Sequence, residues 1–424
     1  MAQLSDDCFQ AGDALQPLDQ ALARLSAGLE SVVAVETAEL LAAQGRTLAE
    51  DVIAVRNVPP VDNSAVDGYA VYHADLNADE ETRLPVVGRV TAGHPLEGAA
   101  CPGQAVRIFT GAPMPLGPDT VMMQEDCDEA EGFVRIRPGI KKDANRRSAG
   151  EDVQAGQVIL AKGMKIGPAE IALLAAQGLT SVTLYKPLKV AVVSSGDEVF
   201  DPGSELPEGG IFDANRHMVM AILSSFGCAV TDLGILPDQP EKIRDALSGA
   251  AQTHDLLVSS GGMSVGEEDH FCSVIEELGR LDFWRLAIKP GRPVGLGQIR
   301  APGNRHVPVI GLPGNPVAAF TTLLLLGRAV IFGLSGRAQT AMPRFKAPAG
   351  FDYKKKEGRR EFIRARLVRD AHDQVIAVHR YGGSGAAILS SLSGADGFID
   401  LSEEITHVKE GDMVRFLPFK ELLA

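Results

Sequence analysis

Three apolar runs in the middle of the chain each end in a glycine-bearing turn, and this pattern constrains the fold more than any other feature. They are VAVVSSGDE (190–198), LLVSSGGMSVGEED (256–269) and VIGLPGNP (309–316). Each reads as a strand buried on both faces and followed by a turn. CAVTDLGIL and LDFWRLAIK add further runs, and helical stretches separate several of them. Residues 188–333 therefore predict a largely parallel sheet in a three-layer α/β/α arrangement. In an open α/β sheet, ligands sit at the carboxyl ends of the strands. Glycines there let backbone approach a ligand closely. Free N–H groups ahead of a helix make an anion site, and Asn315-Pro316 after Gly314 suits a helix start of that kind.

The flanks differ in texture. Leu18, Leu22, Leu25 and Leu29 share one helical face. VIAV, YAVY, LPVVGRV, AVRIF, TVMMQ and FVRIR are short β-rich runs punctuated by Gly, Pro and Asp, which predicts a β module. A connector follows with Lys141, Lys142, Arg146 and Arg147, and then a helix ending at Gly178. The last segment returns to short strands and glycine turns, read as a β-barrel-like domain. The expected organisation is multidomain α/β plus β. Residues 1–26 with 180–333 form the α/β domain and 27–48 with 145–179 a linking domain. Residues 49–144 form the β module and 338–424 the C-terminal domain.

Composition narrows the partners. The 424 residues carry 55 acidic and 41 basic side chains, a formal charge of −14. A chain that acidic has no general pull on nucleic acid or anionic lipid, so neither is expected as a partner. From residue 335 onward there are 15 basic and 12 acidic residues, so the acid excess lies upstream. Any anionic ligand must be held by local donors or a metal. The five cysteines are scattered, with no CxxC, which suits a reducing cytoplasm and argues against a thiol zinc site. MAQLSDDCFQ is acidic and lacks the apolar region of a signal peptide. The apolar stretch from Val317 to Leu334 contains Thr321, Thr322 and Arg328, and reads as a buried helix rather than a membrane span.

Familiar nucleotide and metalloprotease signatures are absent: there is no GxxxxGK[ST] or HExxH, and no GxGxxG after a strand. The turns instead carry acids. Asp197 and Glu198 follow Gly196, and Glu267, Glu268 and Asp269 follow Gly266. Carboxylates beside an anion site suit a hard divalent cation that bridges to phosphate; a solvated acidic loop is the alternative. Arg285, Lys289 and Arg292 offer three cations within eight residues. In the β module, VPPVDNSAVDGYAV crowds Asp62, Ser64 and Asp67 beside Gly68, more than a hairpin turn requires. FTGAPMPLGPDTVMMQED adds Thr110, Gly111, Asp119, Glu125 and Asp126, and RRSAGEDV adds Arg147, Glu151 and Asp152. The acids of one module complement the cations of the other. They could meet across a cleft within one chain or between two subunits.

The strings VDNSAVDGYA, FTGAPMPLGPDTV, RRSAGED, VSSGDE, SSGGMSVGEED, AIKPGRP and GLPGNP occur in this order. Together they resemble the molybdopterin molybdenumtransferase (MoeA) family, which includes the gephyrin E domain. The tail GGSGAAILSSLSGADGFIDL is similar to that family's last domain. The resemblance runs from about residue 15 to 417. The related adenylyltransferase shares the SGG and GLPGNP turns but lacks the DNSAVDGYA module.

The resemblance implies a homodimer with a shared active cleft. It implies that adenylylated molybdopterin loses AMP as molybdate delivers molybdenum to the dithiolene, with Mg²⁺ as cofactor. Contacts with the molybdopterin adenylyltransferase and with recipient molybdoenzymes are further implied. Ser195, Gly196, Ser260, Gly261, Gly262 and Ser264 would hold the pterin and its phosphate, and Pro313, Gly314 and Asn315 would complete the anion floor. Arg285 and Lys289 would neutralise phosphate or molybdate. Asp62, Ser64, Asp67 and Thr110 would face the pocket from the neighbouring subunit, where Asp152 could join them, and Arg147 would bind substrate. Glu198, Asp238 or Asp269 would carry Mg²⁺ or position water, with Glu198 and Asp269 as metal ligands. Val66 stands where the family usually has Met, and Arg285 and Arg292 stand where Lys is common. Three other readings stay open: a binding scaffold without turnover, adenylylation of molybdopterin, and tungstate in place of molybdate.

Overall fold

The computed structural model describes residues 15–261, 270–383 and 385–424. A six-stranded sheet lies at the centre. Its strands are β1 (Lys189–Ser195), β2 (Ala229–Leu236), β3 (Leu256–Ser260), β4 (Gly279–Arg285), β5 (Pro293–Ala301) and β6 (Arg305–Leu312). The spatial order is β2-β1-β3-β6-β5-β4. The first four run parallel; β5 runs antiparallel to β6, and β4, antiparallel to β5, points the same way as the first four. The sheet is therefore mixed, with β5 its one reversed strand. Only Pro302–Asn304 join β5 to β6, and so short a connection makes a hairpin, not a crossover.

Alternate strand residues divide between two cores. Val190, Val192, Leu256, Val258, Ile310 and Leu312 join one cluster, and Ala191, Val193, Leu257 and Val309 join another. On the first face lie α1 (Leu18–Gly28), α3 (Ala214–Ser225) and α6 (Pro316–Leu334). On the second lie α4 (Pro240–Thr253) and α5 (His270–Leu278). Proline opens α6 at its first position, and Leu323–Leu326 are wholly buried, each such side chain contributing about 1.5–3 kcal/mol. Helix α6 is long and apolar enough to cross a membrane, with mean hydropathy 2.0, but 94% of it is buried inside the protein.

Strand Val35–Glu39 pairs antiparallel with Ser181–Tyr185, and Val52–Ile53 pairs with Val158–Leu160. Leu48, Leu160, Ile166, Leu174 and Leu184 form a small core there with α2 (Pro168–Ala176). Gly178, at φ +76°, ends that helix. Residues 181–185 thus sit with this linking region, and the chain enters the central sheet at Lys189.

The β module is a six-stranded sheet in the order 120–123, 68–71, 105–108, 82–90, 133–136, 127–130. Gly68 is required there, because a Cβ would fall 1.7 Å from the Met122 carbonyl oxygen. The C-terminal sheet runs in the order 288–289, 360–369, 397–401, 413–418, 345–348, with 375–380 paired to 360–369. Ala349 bridges Val378, which brings the two ends of that sheet together. Arg360 is buried; it holds Asp400 through two bonds of 2.6 and 2.7 Å, and Asp19 of α1 at 3.0 Å.

Candidate active site

A cavity of about 410 Å³ opens at the carboxyl ends of β1 and β3 and at the turn after β6. Its wall includes Ser194, Ser195, Glu198, Ser260, Gly261, Gly314 and Asn315. Two parallel strands ending side by side in Ser-Ser-Gly place these groups together. Ser195 and Ser260 are almost fully buried on the cavity side, and Gly261 has φ +82°. A Cβ at Gly261 would lie 2.7 Å from the Ser195 carbonyl oxygen, so the two turns close up only because that position is glycine. Ser194 is 2% exposed, and its Oγ has no partner among the described residues. An unsatisfied hydroxyl in a cavity wall is a group that awaits a ligand or ordered water.

Helix α3 closes one side. Asp213 caps it, accepting from the Arg216 backbone N–H at 3.0 Å and from Arg216 Nε at 3.1 Å. Arg216 also reaches Asp232 at 2.6 Å and Asp201. Asn215 Nδ2 donates to the Gly314 carbonyl at 2.7 Å and ties α3 to the turn that starts α6. Sequence reasoning missed Arg216 and Asn215. The signal was the string DANR, an N-cap followed by polar residues in a helix facing the sheet's ligand edge.

The C-terminal region enters the site as well. Ala387 and Leu389 line the cavity, and the Ala386 carbonyl accepts the Val317 N–H at 3.0 Å. That bond takes one of the free donors at the start of α6. The glycine run at 382–385 was its only sequence trace.

Several expected residues are elsewhere. Ser64 is fully buried and donates its hydroxyl to the Val66 carbonyl at 2.6 Å. It shapes the 62–67 loop and cannot touch a ligand. Lys289 does not line the cavity: Nζ bonds Glu361 at 3.3 Å, in a groove with Tyr353, Arg364 and Arg380. The reason is that Ile288–Lys289 pairs with the C-terminal sheet. Arg285 ends β4 at the far edge of the sheet, Asp238 follows β2, and Pro313 is not part of the cavity wall. Gly262, Ser264 and Asp269 lie outside the described residues.

The acidic loops of the β module form a second constellation. Asp67 accepts from Thr110 through both the backbone N–H and the hydroxyl, each at 2.7 Å. Those two bonds hold the Asp67 carboxyl below the usual range, the backbone one most. Because the Thr110 hydroxyl donates to Asp67, its oxygen is left to accept. Asp62 Oδ1 accepts the Ala149 N–H at 2.8 Å, and Oδ2 lies 3.7 Å from Arg146 Nε. Arg147 and Asp152 are exposed on the same loops, and the Asp152 N–H donates to the Val58 carbonyl. None of these residues lines the cavity at β1 and β3 within one chain. Among the described residues, no cluster of three or more His, Cys, Asp or Glu is placed to hold a metal.

Comparison with known proteins matches three regions in order. Residues 16–178 match "MoeA N-terminal region (domain I and II)", 191–333 "Probable molybdopterin binding domain", and 346–419 "MoeA C-terminal region (domain IV)". A molybdopterin molybdenumtransferase of Haemophilus influenzae is 38% identical over 96% of this chain and 99% of its own length. One from Nostoc sp. is 35% identical over 84% of this chain and 82% of its own. Among solved structures, a molybdopterin biosynthesis MoeA protein of Pyrococcus horikoshii superposes with a TM-score of 0.82 at 27% identity, covering 96% of this chain and all of that one. With its three regions, its length and its sequence all aligned to such relatives, the chain belongs to the molybdopterin molybdenumtransferase family.

Proposed function

We infer that this protein inserts molybdenum from molybdate into adenylylated molybdopterin with release of AMP, the step that completes the molybdenum cofactor. One observation carries the reading. The acidic loops and the serine-glycine cavity coexist in a chain that aligns end to end with relatives named for that transfer.

In this reading the phosphate and pterin lie in the cavity, held by Ser194, Ser195 and Ser260 and by the close backbone at Gly196 and Gly261. Asn215 and the Gly314-Asn315 turn fix the floor. Glu198 and Asp213 are the carboxylates of the described wall, and Arg216 already engages Asp213. Glu198 therefore fits a Mg²⁺ ion, which takes one or two carboxylates plus substrate phosphates; Asp269 is the second ligand we assign. Bound there, Mg²⁺ supplies charge neutralisation for the phosphoanhydride. Asp62 Oδ2, which faces Arg146 at 3.7 Å without a hydrogen bond, is the oxygen that takes a proton from water, and Thr110, fixed by Asp67, accepts a hydrogen bond from that water or from the substrate. The water oxygen joins phosphorus and AMP leaves with the bridging oxygen. As the two dithiolene sulfurs take molybdenum, one oxo group departs as water with the two thiol protons. Lys289, with Arg364 and Arg380 in its groove, supplies positive charge for the incoming oxyanion.

The cleft is shared in a homodimer. The separation of the acidic loops from the cavity wall within one chain supports this. Residue division between two core clusters supports the three-layer α/β/α reading, and the Ala349–Val378 bridge supports a barrel-like C-terminal domain. Among the described residues, the unbridged thiols of Cys101, Cys127 and Cys228 support a cytoplasmic setting. The test is AMP release from adenylylated molybdopterin under anaerobic conditions with Mg²⁺, with molybdate, with tungstate and with neither. Oxyanion-dependent AMP release with active cofactor formed supports the transferase, and the better oxyanion identifies the substrate. Binding without AMP release under every condition leaves a scaffold instead.

A further inference from the structure

A second cavity, of about 210 Å³, lies between α1, the C-terminal half of α6 and residues 339–344. It shares no lining residue with the cavity at β1 and β3. Arg328 forms part of its wall and is 7% exposed. Its Nε is buried with no hydrogen-bond partner, and no carboxylate pairs with its guanidinium among the described residues. Its neighbour is the Phe332 ring, 4.4 Å from the guanidinium carbon, and Arg337 stacks on the same ring at 4.1 Å. The one carboxylate in the wall, Asp19, is taken by Arg360 at 3.0 Å. Arg344, exposed at the cavity rim, adds a further cation.

A buried guanidinium Nε with no acceptor is unfavourable, because the Phe332 ring face does not supply the hydrogen bond lost on desolvation. Desolvation alone already holds the Arg328 pKa below its ordinary value. Arginine at this point on an otherwise apolar helix is explained if an anion joins it. The rest of the wall says what kind. Leu22, Leu325, Phe332 and Met342 make it largely apolar, and the space exceeds what a bare oxyanion fills. We propose that this cavity binds a small organic anion, a carboxylate or phosphomonoester with an apolar body, whose head group pairs with Arg328 and Arg344. The guanidinium fork suits either head group bidentately. The site lies roughly 18 Å along α6 from Pro316, given twelve residues at a helical rise.

The test uses the full-length protein and no turnover assay, so it stands whether or not the transferase reading does. Thermal melting and calorimetry are run with phenyl phosphate, benzoate and inorganic phosphate. Phenyl phosphate or benzoate is expected to raise the melting temperature by several degrees, and the tighter of the two identifies the head group. Arg328→Met is expected to melt no lower than wild type without ligand and to weaken binding about tenfold or more, the loss of a charge-assisted pair. Arg344→Ala, at an exposed position, is expected to weaken binding several-fold with folding intact. The proposal is overturned if neither organic anion binds, or if both substitutions leave the affinity unchanged. It is also overturned if inorganic phosphate binds as tightly as phenyl phosphate. Loss of the dimer in Arg328→Met would overturn it too, since that would make the missing acceptor a carboxylate of a second copy.

Discussion

Gly261 and Asp67 act through opposite means, one by having no side chain and one by the bonds its side chain accepts. At Gly261 the left-handed φ and the 2.7 Å approach to the Ser195 carbonyl mean that Gly261→Ala must push the two turns apart. The expected cost is about 1–3 kcal/mol by denaturant titration, with a larger fall in substrate affinity. A variant of wild-type stability and affinity would contradict the close packing described here. Asp67 has a lowered folded-state pKa, so its contribution to stability is present above the unfolded value of about 3.9 and is lost as pH falls through the folded one. Asp67→Asn should therefore flatten the acid limb of the stability curve below about pH 4 while leaving its neutral region with a constant offset. An unchanged acid limb would mean that Thr110 does not hold the carboxylate in solution. Both residues stood out in the sequence, Gly261 by its place after a buried run and Asp67 by crowding with Asp62 and Ser64. Ser64 stood out for the same reason and was misread. A hydroxyl beside two acids looks like a ligand group until the turn that consumes it is seen.

Among elements, the turn after β6 and the start of α3 are joined by one bond, Asn215 Nδ2 to the Gly314 carbonyl. Asn215→Ala removes that bond at a partly exposed position and is expected to cost about 0.5–1.5 kcal/mol. Because the bond positions the cavity floor, KM should rise more than kcat falls. The reverse split would place Asn215 in the chemical step. Strand and helix types were legible from buried apolar runs, since both faces of β1, β3 and β6 are covered. Strand direction was not. PVGLGQIRA has the composition of a parallel core strand, and only the three-residue link between β5 and β6 reveals the hairpin that reverses it. The pairing of Ile288–Lys289 with residues 360–361 was equally hidden, because a two-residue strand has no periodicity to read. That pairing is what carries Lys289 away from the SSG cavity.

For the whole molecule, the separation of acidic loops and cavity makes a quantitative prediction. If each site takes its acids from one protomer and its cavity from the other, Asp62→Ala and Glu198→Ala subunits should complement. In a two-fold symmetric dimer formed by random exchange, half the dimers are mixed and each holds one intact site. Mixing equal amounts of the two inactive variants should restore about a quarter of wild-type AMP release. No recovery after verified subunit exchange would place the whole site in a single chain. The order of motifs along the sequence announced both halves of this site but not their distance, because spacing in a chain carries no information about contacts between modules.

The loop at 386–389 has a consequence for synthesis. It caps α6 and walls the cavity, yet it lies far along the chain from the strands that build the rest. A nascent chain whose central sheet has already formed on the ribosome still has an open-sided pocket until that loop emerges. Ligand retention is thereby deferred to the end of translation, and a truncated product would bind its ligand weakly rather than trap it.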